Sequence, residues 1–173
     1  MATLVLISGS NNSGKSVYAE QLIVQTKGNR YYIATMRPVT EDNHRRIEKH
    51  REQRRGLGFE TLECPYQVGN APVSADSAVL LEDVSNLLAN AIFEKGIEPD
   101  SVFHDICDLA DRCGILVAVT ISGLKNKGYD KETAAYIDSL NEINRKLLDK
   151  AAVAVSMQDG IPVYQKGDIH DFI

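Results

Sequence analysis

The chain has no tryptophan, only three cysteines and five prolines among its 173 residues, and an aromatic content of just 6%. Cys64, Cys107 and Cys113 are odd in number and have neither a CxxC nor a metal-finger spacing. This argues against a disulfide framework or a cysteine-built metal site, and predicts reduced thiols in a cytoplasmic protein. Basic charge is also scarce: 19 Lys and Arg face 24 Asp and Glu, a net charge of −5, so nothing in the bulk electrostatics points to nucleic acid. No apolar run reaches membrane-spanning length. The apolar run at Ala2–Ser8 is too short for a signal sequence, so neither membrane insertion nor export is expected.

The rest is an ordinary globular balance, 43% hydrophobic and 25% charged, which fits one domain over residues 1–173. Thr3–Ser8 is a continuous β-prone apolar run, the pattern of a strand buried on both faces of a parallel sheet. A helix is predicted from the end of the next loop to about Gln25. Further strands are predicted at Arg30–Thr35, Ala78–Leu81, Ile115–Thr120 and Ala151–Ser156. Ile161–Tyr164 reads as an antiparallel edge strand, because Pro162 is tolerated at an edge and Asp159-Gly160 is a hairpin turn signal. Val84, Leu87, Leu88, Ala91 and Ile92 share one helical face, as do Ile137, Leu140, Leu147 and Leu148. Strands alternating with helices predict an α/β fold with a mainly parallel central sheet flanked by helices. An ordered loop is expected at residues 65–75, a mobile one at 125–128, and a frayed tail from Gly167.

Gly9-Ser10-Asn11-Asn12-Ser13-Gly14-Lys15-Ser16 matches G-x-x-x-x-G-K-[ST] between a predicted strand and a predicted helix, the context that motif needs. Glycines let the backbone curl so that successive N–H groups and the helix N-terminus cradle phosphate oxygens. Lys15 supplies a point charge for the β- and γ-phosphates, and the Ser16 hydroxyl is suited to Mg²⁺. The fold expected is therefore a P-loop NTPase of the RecA-like kind. Such a site also wants an acid at the end of a nearby strand, for which Glu82 and Asp83 are candidates. The same two acids would also complement a helix N-terminus.

Residues 41–56 read as a helix with one sizeable apolar residue, Ile47, and six Arg or Lys against four Asp or Glu. Such a helix is not held by core packing. Glu41 with Arg45 and Asp42 with Arg46 are available as i,i+4 pairs. Arg46, His50 and Arg54 fall on one face. A neutral imidazole among arginines suits a nucleophile for phosphorus, since nearby cations depress its pKa. Taken alone, however, the pattern is better read as a solvated charged helix with a surface histidine.

The order of motifs changes that reading. Ser13-Gly14-Lys15-Ser16 leads to Ala19-Glu20. Tyr32-Ile33-Ala34-Thr35, Arg46-Ile47-Glu48-Lys49-His50 with Arg54, Phe59-Glu60-Thr61-Leu62-Glu63, Leu81-Glu82 with Asn90, and a long helix with Asn144 then follow in turn. Over nearly its whole length the chain resembles the bifunctional adenosylcobinamide kinase/adenosylcobinamide-phosphate guanylyltransferases of cobalamin biosynthesis. The resemblance implies that His50 carries a guanylylated intermediate beside Lys15, with ATP and GTP as substrates, Mg²⁺ as cofactor, a corrinoid acceptor and a homotrimeric assembly. It also implies that Thr35, Met36, Arg37, Arg46, Arg51, Arg54, Glu63 and Glu82 border the nucleotide. The chain departs from the family pattern at Asn12, around Arg55-Gly56, and at Ile121-Ser122-Gly123-Leu124, where the pattern has an acid and an amide. A P-loop kinase for another small metabolite and a non-catalytic nucleotide-binding module both remain compatible with the residues.

Overall fold

A computed structural model describes residues 2–173. Seven strands form one sheet: β1 (Thr3–Gly9), β2 (Arg30–Ala34), β3 (Phe59–Glu63), β4 (Ala78–Glu82), β5 (Ile115–Ile121), β6 (Val153–Gln158) and β7 (Ile161–Lys166). Their order is β3-β2-β4-β5-β1-β6-β7, parallel throughout except for the antiparallel β6–β7 pair. The alternation along β1 feeds two cores. Leu4 and Leu6 face one side of the sheet and Val5 and Ile7 the other. A strand with helices on both faces has no polar side to show, which is why its sequence is an unbroken apolar run.

Helix α1 (Lys15–Val24) covers one face through Ala19, Leu22 and Ile23. Helices α3 (Val84–Ala89), α4 (Pro99–Arg112) and α5 (Lys131–Lys150) cover the other. Helix α2 (Glu41–Gln53) belongs to neither layer and buries none of its residues. A single π-turn, Asn90–Glu94, prolongs α3.

Helix α4 is not among the elements expected above, although Pro99 at its first turn and the stripe Val102, Ile106, Leu109 and Ala110 are ordinary helix signals. The strand expected at residues 151–156 begins two residues later, at Val153, because Ala151 caps α5. Asp159 and Gly160 both have positive φ and form the expected tight turn. The segment 65–75 contains a 3₁₀ turn, Val68–Asn70, pinned by α4: Asp105 Oδ1 accepts from Gly69 N at 2.7 Å, and the Arg112 guanidinium donates to Gly69 O.

The tail from Gly167, where fraying is expected, is anchored at one point. Ile169 is buried in the core under α1 (2% exposed), and Asp168 Oδ1 caps a closing 3₁₀ turn through His170 N at 3.0 Å. Gly167 has φ +65°, and an added Cβ would run into the Ala152 carbonyl oxygen. Gly167→Ala is therefore expected to cost about 2 kcal/mol, or a fall in melting temperature of roughly 4–8 °C. Thermal unfolding followed by circular dichroism checks this, and an unchanged midpoint would contradict the tight seating of the tail.

Candidate active site

The C-terminal ends of β1, β2, β3 and β4 open into one cleft of about 890 Å³. Crevices outside the carboxyl ends of parallel strands are where open α/β sheets bind ligands. The loop from β1 into α1 forms its floor, with Asn11 through Val17 lining it. Asn12 (φ +58°) and Gly14 (φ +89°) adopt the left-handed conformation that curls this loop, and asparagine is among the few residues that tolerate it. Gly9 has no room for a side chain, since an added Cβ would lie 2.6 Å from Ser13 Oγ and 2.9 Å from the Met157 carbonyl. Lys15 Nζ donates to the Ser10 carbonyl at 2.7 Å. Burial lowers the Lys15 pKa, while the acids Asp83 and Glu82 work in the opposite direction.

Glu82 stands at the end of β4, two strands from β1, and its Oε1 accepts from Ser16 Oγ at 2.7 Å. Its Oε2 is buried without a hydrogen-bond partner. Burial first, and the neighbouring Asp83 charge second, push the Glu82 carboxyl well above the ordinary range. Asp83 is pushed up by burial too, and its Oδ1 caps α3 through Asn86 N at 2.8 Å. The Asp83 carboxylate thus serves as a helix cap while still lining the cleft. A paired serine and acid with an unspent oxygen suit Mg²⁺, which takes oxygen ligands and shares its shell with substrate phosphates and water. Among the described residues there is no cluster of three or more His, Cys, Asp or Glu that could hold a metal, and the three cysteines are free thiols.

Thr35 occupies a different place from the one the family resemblance implies. It is fully buried, and its hydroxyl donates to Glu82 O at 2.9 Å and accepts from Asp83 N at 2.9 Å. With its hydroxyl spent on the backbone, Thr35 fixes the turn that carries the two acids and does not line the cleft. Asn90 acts in a similar way, its Nδ2 donating to Thr35 O at 2.8 Å and Pro65 O at 3.0 Å. The amide of Asn144, on the apolar stripe of α5, finds its partners at the end of β5: Thr120 Oγ1 donates to Oδ1 at 2.7 Å, and Nδ2 donates to Ile121 O at 2.9 Å.

The opposite wall consists of Met36, Arg37, Arg46, His50, Arg51, Arg54 and Glu63. Arg37 is held by the carboxylate of Glu94 and by Tyr66 Oη. Arg51 pairs with Glu48 at 2.9 Å and Glu63 at 3.3 Å, and Arg46 with Asp42 at 3.2 Å. The expected Glu41–Arg45 pair does not form among the described residues. Arg54 is 7% exposed. Its guanidinium lies 3.7 Å from the Tyr32 ring centroid, Nη2 donates to Thr61 Oγ1 at 3.0 Å, and Nη1 is buried without a partner. Tyr32 and Thr61, which stand in the quoted motifs, also line the cleft, together with Ser85, Asn86 and Tyr136, which no motif points to. His50 is half-buried with its Nδ1 unpartnered, and its pKa is lowered by burial first, then by Arg54, Lys49 and Arg46. The phosphate loop and the histidine of α2 therefore face each other across one space.

Comparison with known proteins agrees with this geometry. Two solved structures cover 99% of the chain at 10% identity. One is a prototypical ATPase from the type III secretion system of pathogenic bacteria, with a TM-score of 0.56 and 58% of that chain covered. The other is a Pyrococcus horikoshii OT3 protein, with a TM-score of 0.53 and 89% covered. At that identity they speak for the fold alone, which is that of a P-loop NTPase. The bifunctional adenosylcobalamin biosynthesis protein CobU of Salmonella typhimurium is 32% identical over 100 residues, which is 56% of this chain and 54% of that protein. Its Escherichia coli K12 counterpart is 33% identical over the same extent. The match therefore spans about half the length of these curated relatives. The family model described as cobinamide kinase / cobinamide phosphate guanyltransferase matches residues 5–164, nearly the whole sheet and both walls of the cleft, and the chain belongs to that family.

Proposed function

We propose that the protein phosphorylates the terminal hydroxyl of adenosylcobinamide with ATP or GTP, and then transfers GMP from GTP to the resulting phosphate through His50. The observation that carries this reading is the shared cleft: His50, Lys15 and Ser16 line one cavity. For phosphoryl transfer, the backbone N–H groups of residues 11–16 seat the phosphates and Lys15 neutralises charge developing on the β,γ end. Ser16 and Glu82 would hold Mg²⁺, which would supply positive charge to offset that of the phosphates.

For nucleotidyl transfer, the imidazole lone pair of His50 attacks the α-phosphorus of GTP. The bond from that phosphorus to the bridging oxygen breaks, and its electron pair leaves with pyrophosphate. An oxygen of adenosylcobinamide phosphate then displaces the imidazole, and the electron pair of the N–P bond returns to nitrogen. Arg46 and Arg51, whose carboxylate partners are exposed, are free to exchange them for phosphate oxygens. Lys15 serves the β,γ end whereas His50 serves the α-phosphorus, so either the nucleotide rebinds between steps or α2 moves. No residue of α2 itself is buried, so such a movement would leave both cores intact. Self-association belongs to the same proposal, supported by the exposed apolar side chains Ile161, Val163 and Tyr164 on the edge strand β7.

The protein is expected to take ³²P from α-labelled but not γ-labelled GTP on His50. It should also convert adenosylcobinamide to adenosyl-GDP-cobinamide, read by mass. The sign of the His50 pKa shift makes the labelling rate pH-dependent in a specific way. A lowered pKa keeps the ring neutral, and nucleophilic, to more acidic pH than an ordinary histidine. The acid limb of the labelling profile should therefore fall below pH 6.5, and Lys49→Met should move it upward. Kinase turnover with no α-label at any pH would leave a kinase alone.

A further inference from the structure

Helix α2 presents a physical problem. It carries His50, yet its apolar content is one residue and it belongs to neither core. Its contacts along the cleft wall are exposed ion pairs, each worth about 0–1 kcal/mol and easily exchanged. Its N-terminal end is tied by an exposed bond from Asn43 Nδ2 to Arg37 O at 3.1 Å. None of these fixes where an imagined line from the phosphate loop to the imidazole begins and ends.

Arg54, the residue that closes α2, is seated on Tyr32 and Thr61 of the sheet, and one further contact ties the last turn to α1. Glu20 lies on α1, one helical turn beyond Ser16, and is 2% exposed. Its Oε2 accepts from Gln53 Nε2, on the last turn of α2, at 2.7 Å. This is the one side-chain hydrogen bond between α1 and α2 among the described residues. The same last turn returns to the histidine through Arg54 N, which donates to His50 O at 3.2 Å. Ser16, Glu20, Gln53 and His50 thus form a short path between the end of α1 that seats phosphate and the turn of α2 that carries the imidazole.

The chemistry of Glu20 argues for position over stability. Its second oxygen, Oε1, is buried without a partner. A buried carboxylate left half-satisfied is costly, and an apolar residue of similar size would stabilise the core more. Its burial also holds the carboxyl above its ordinary range, against the hydrogen bond from Gln53 and the charge of Arg54. A group this costly in the wall between two helices is explained by the bond it makes across them.

We infer that Glu20 is a positioning residue for guanylylation: through Gln53 it latches the C-terminal turn of α2 to the phosphate-binding helix and so sets the imidazole of His50 at the α-phosphorus. The inference rests on the nucleotidyl-transfer reading of His50. It concerns that step alone, because the seat of the β- and γ-phosphates lies on α1 and the β1–α1 loop and does not depend on where α2 stands.

The test compares two rates in the protein: labelling of His50 from α-³²P GTP, and ATP-dependent phosphorylation of adenosylcobinamide. Glu20→Ala is expected to slow labelling at least tenfold while the kinase rate stays within about threefold. Gln53→Leu, made on a helix without buried residues, should reproduce that split even if Glu20→Ala folds poorly. Glu20→Gln, which keeps an oxygen to accept from Gln53, should restore labelling to within about threefold of the parent. Parallel loss of both rates together with a lowered melting temperature would reduce Glu20 to a structural residue, and unchanged labelling in Glu20→Ala and Gln53→Leu would remove its role altogether. A parent protein that takes no α-label is a different result, since it overturns the histidine reading itself and the latch with it.

Discussion

The His50→Ala variant is expected to fold as the parent does, to keep its kinase rate within a few fold, and to lose GMP transfer by on the order of 10³ or more. The ring's Nδ1 has no hydrogen-bond partner, and the helix beneath it contributes nothing to either core. Truncating the side chain therefore breaks no internal bond and opens no cavity, so the stability change should stay within about 0.5 kcal/mol. The loss in GMP transfer has a different origin. A covalent nucleotidyl route divides one difficult displacement into two easier ones, and alanine offers no lone pair for the first. Radiolabel remaining on the variant after denaturation, or unimpaired formation of the GDP-linked product, would show that another group attacks the α-phosphorus.

Lys15→Met is expected to give the opposite profile. Both reactions should fall, phosphoryl transfer by about 10²–10³ or more, because the ammonium is the only lysine among the residues lining the floor of the cleft and its charge counts for more where water is excluded. The variant should nevertheless be at least as stable as the parent. Burial lowers the Lys15 pKa, so the charged form is held in the loop at a cost, and methionine keeps the stem without the charge. A higher melting point together with a collapsed turnover number would separate catalytic from structural importance at this position. A variant that turned over ATP at the parental rate would mean that the loop seats phosphate through its backbone alone.

The strand pattern was legible because buried parallel strands carry their burial in their composition. Val5, Leu80, Val117 and Val155 sit in runs that no other element explains. The phosphate loop was legible because its glycines are required by backbone geometry, and Gly9 and Gly14 leave little else permissible. The roles of Thr35 and Arg54 were not. Motif order gives the neighbourhood of a side chain but not its direction, and Thr35 turns under the sheet end to bond the Glu82–Asp83 backbone. Arg54 turns onto the Tyr32 ring, a contact 22 residues distant in sequence that no periodicity announces. Glu20 could be quoted as part of a motif, but its meaning required knowing that the far end of α2 arrives there. The anchoring of the tail is not legible, because Ile169 is a lone apolar residue in a polar stretch, and a single buried anchor leaves no pattern.

The strand order has a consequence in time. β1 has two neighbours in the sheet, β5 and β6, and neither begins before residue 115. As the chain leaves the ribosome, β1 emerges roughly ten seconds of synthesis before its first pairing partner. Until then it is an apolar ribbon with both backbone edges unsatisfied, the kind of segment chaperones protect. The strand that leads into the phosphate loop is thus paired only after most of the sheet has been synthesised.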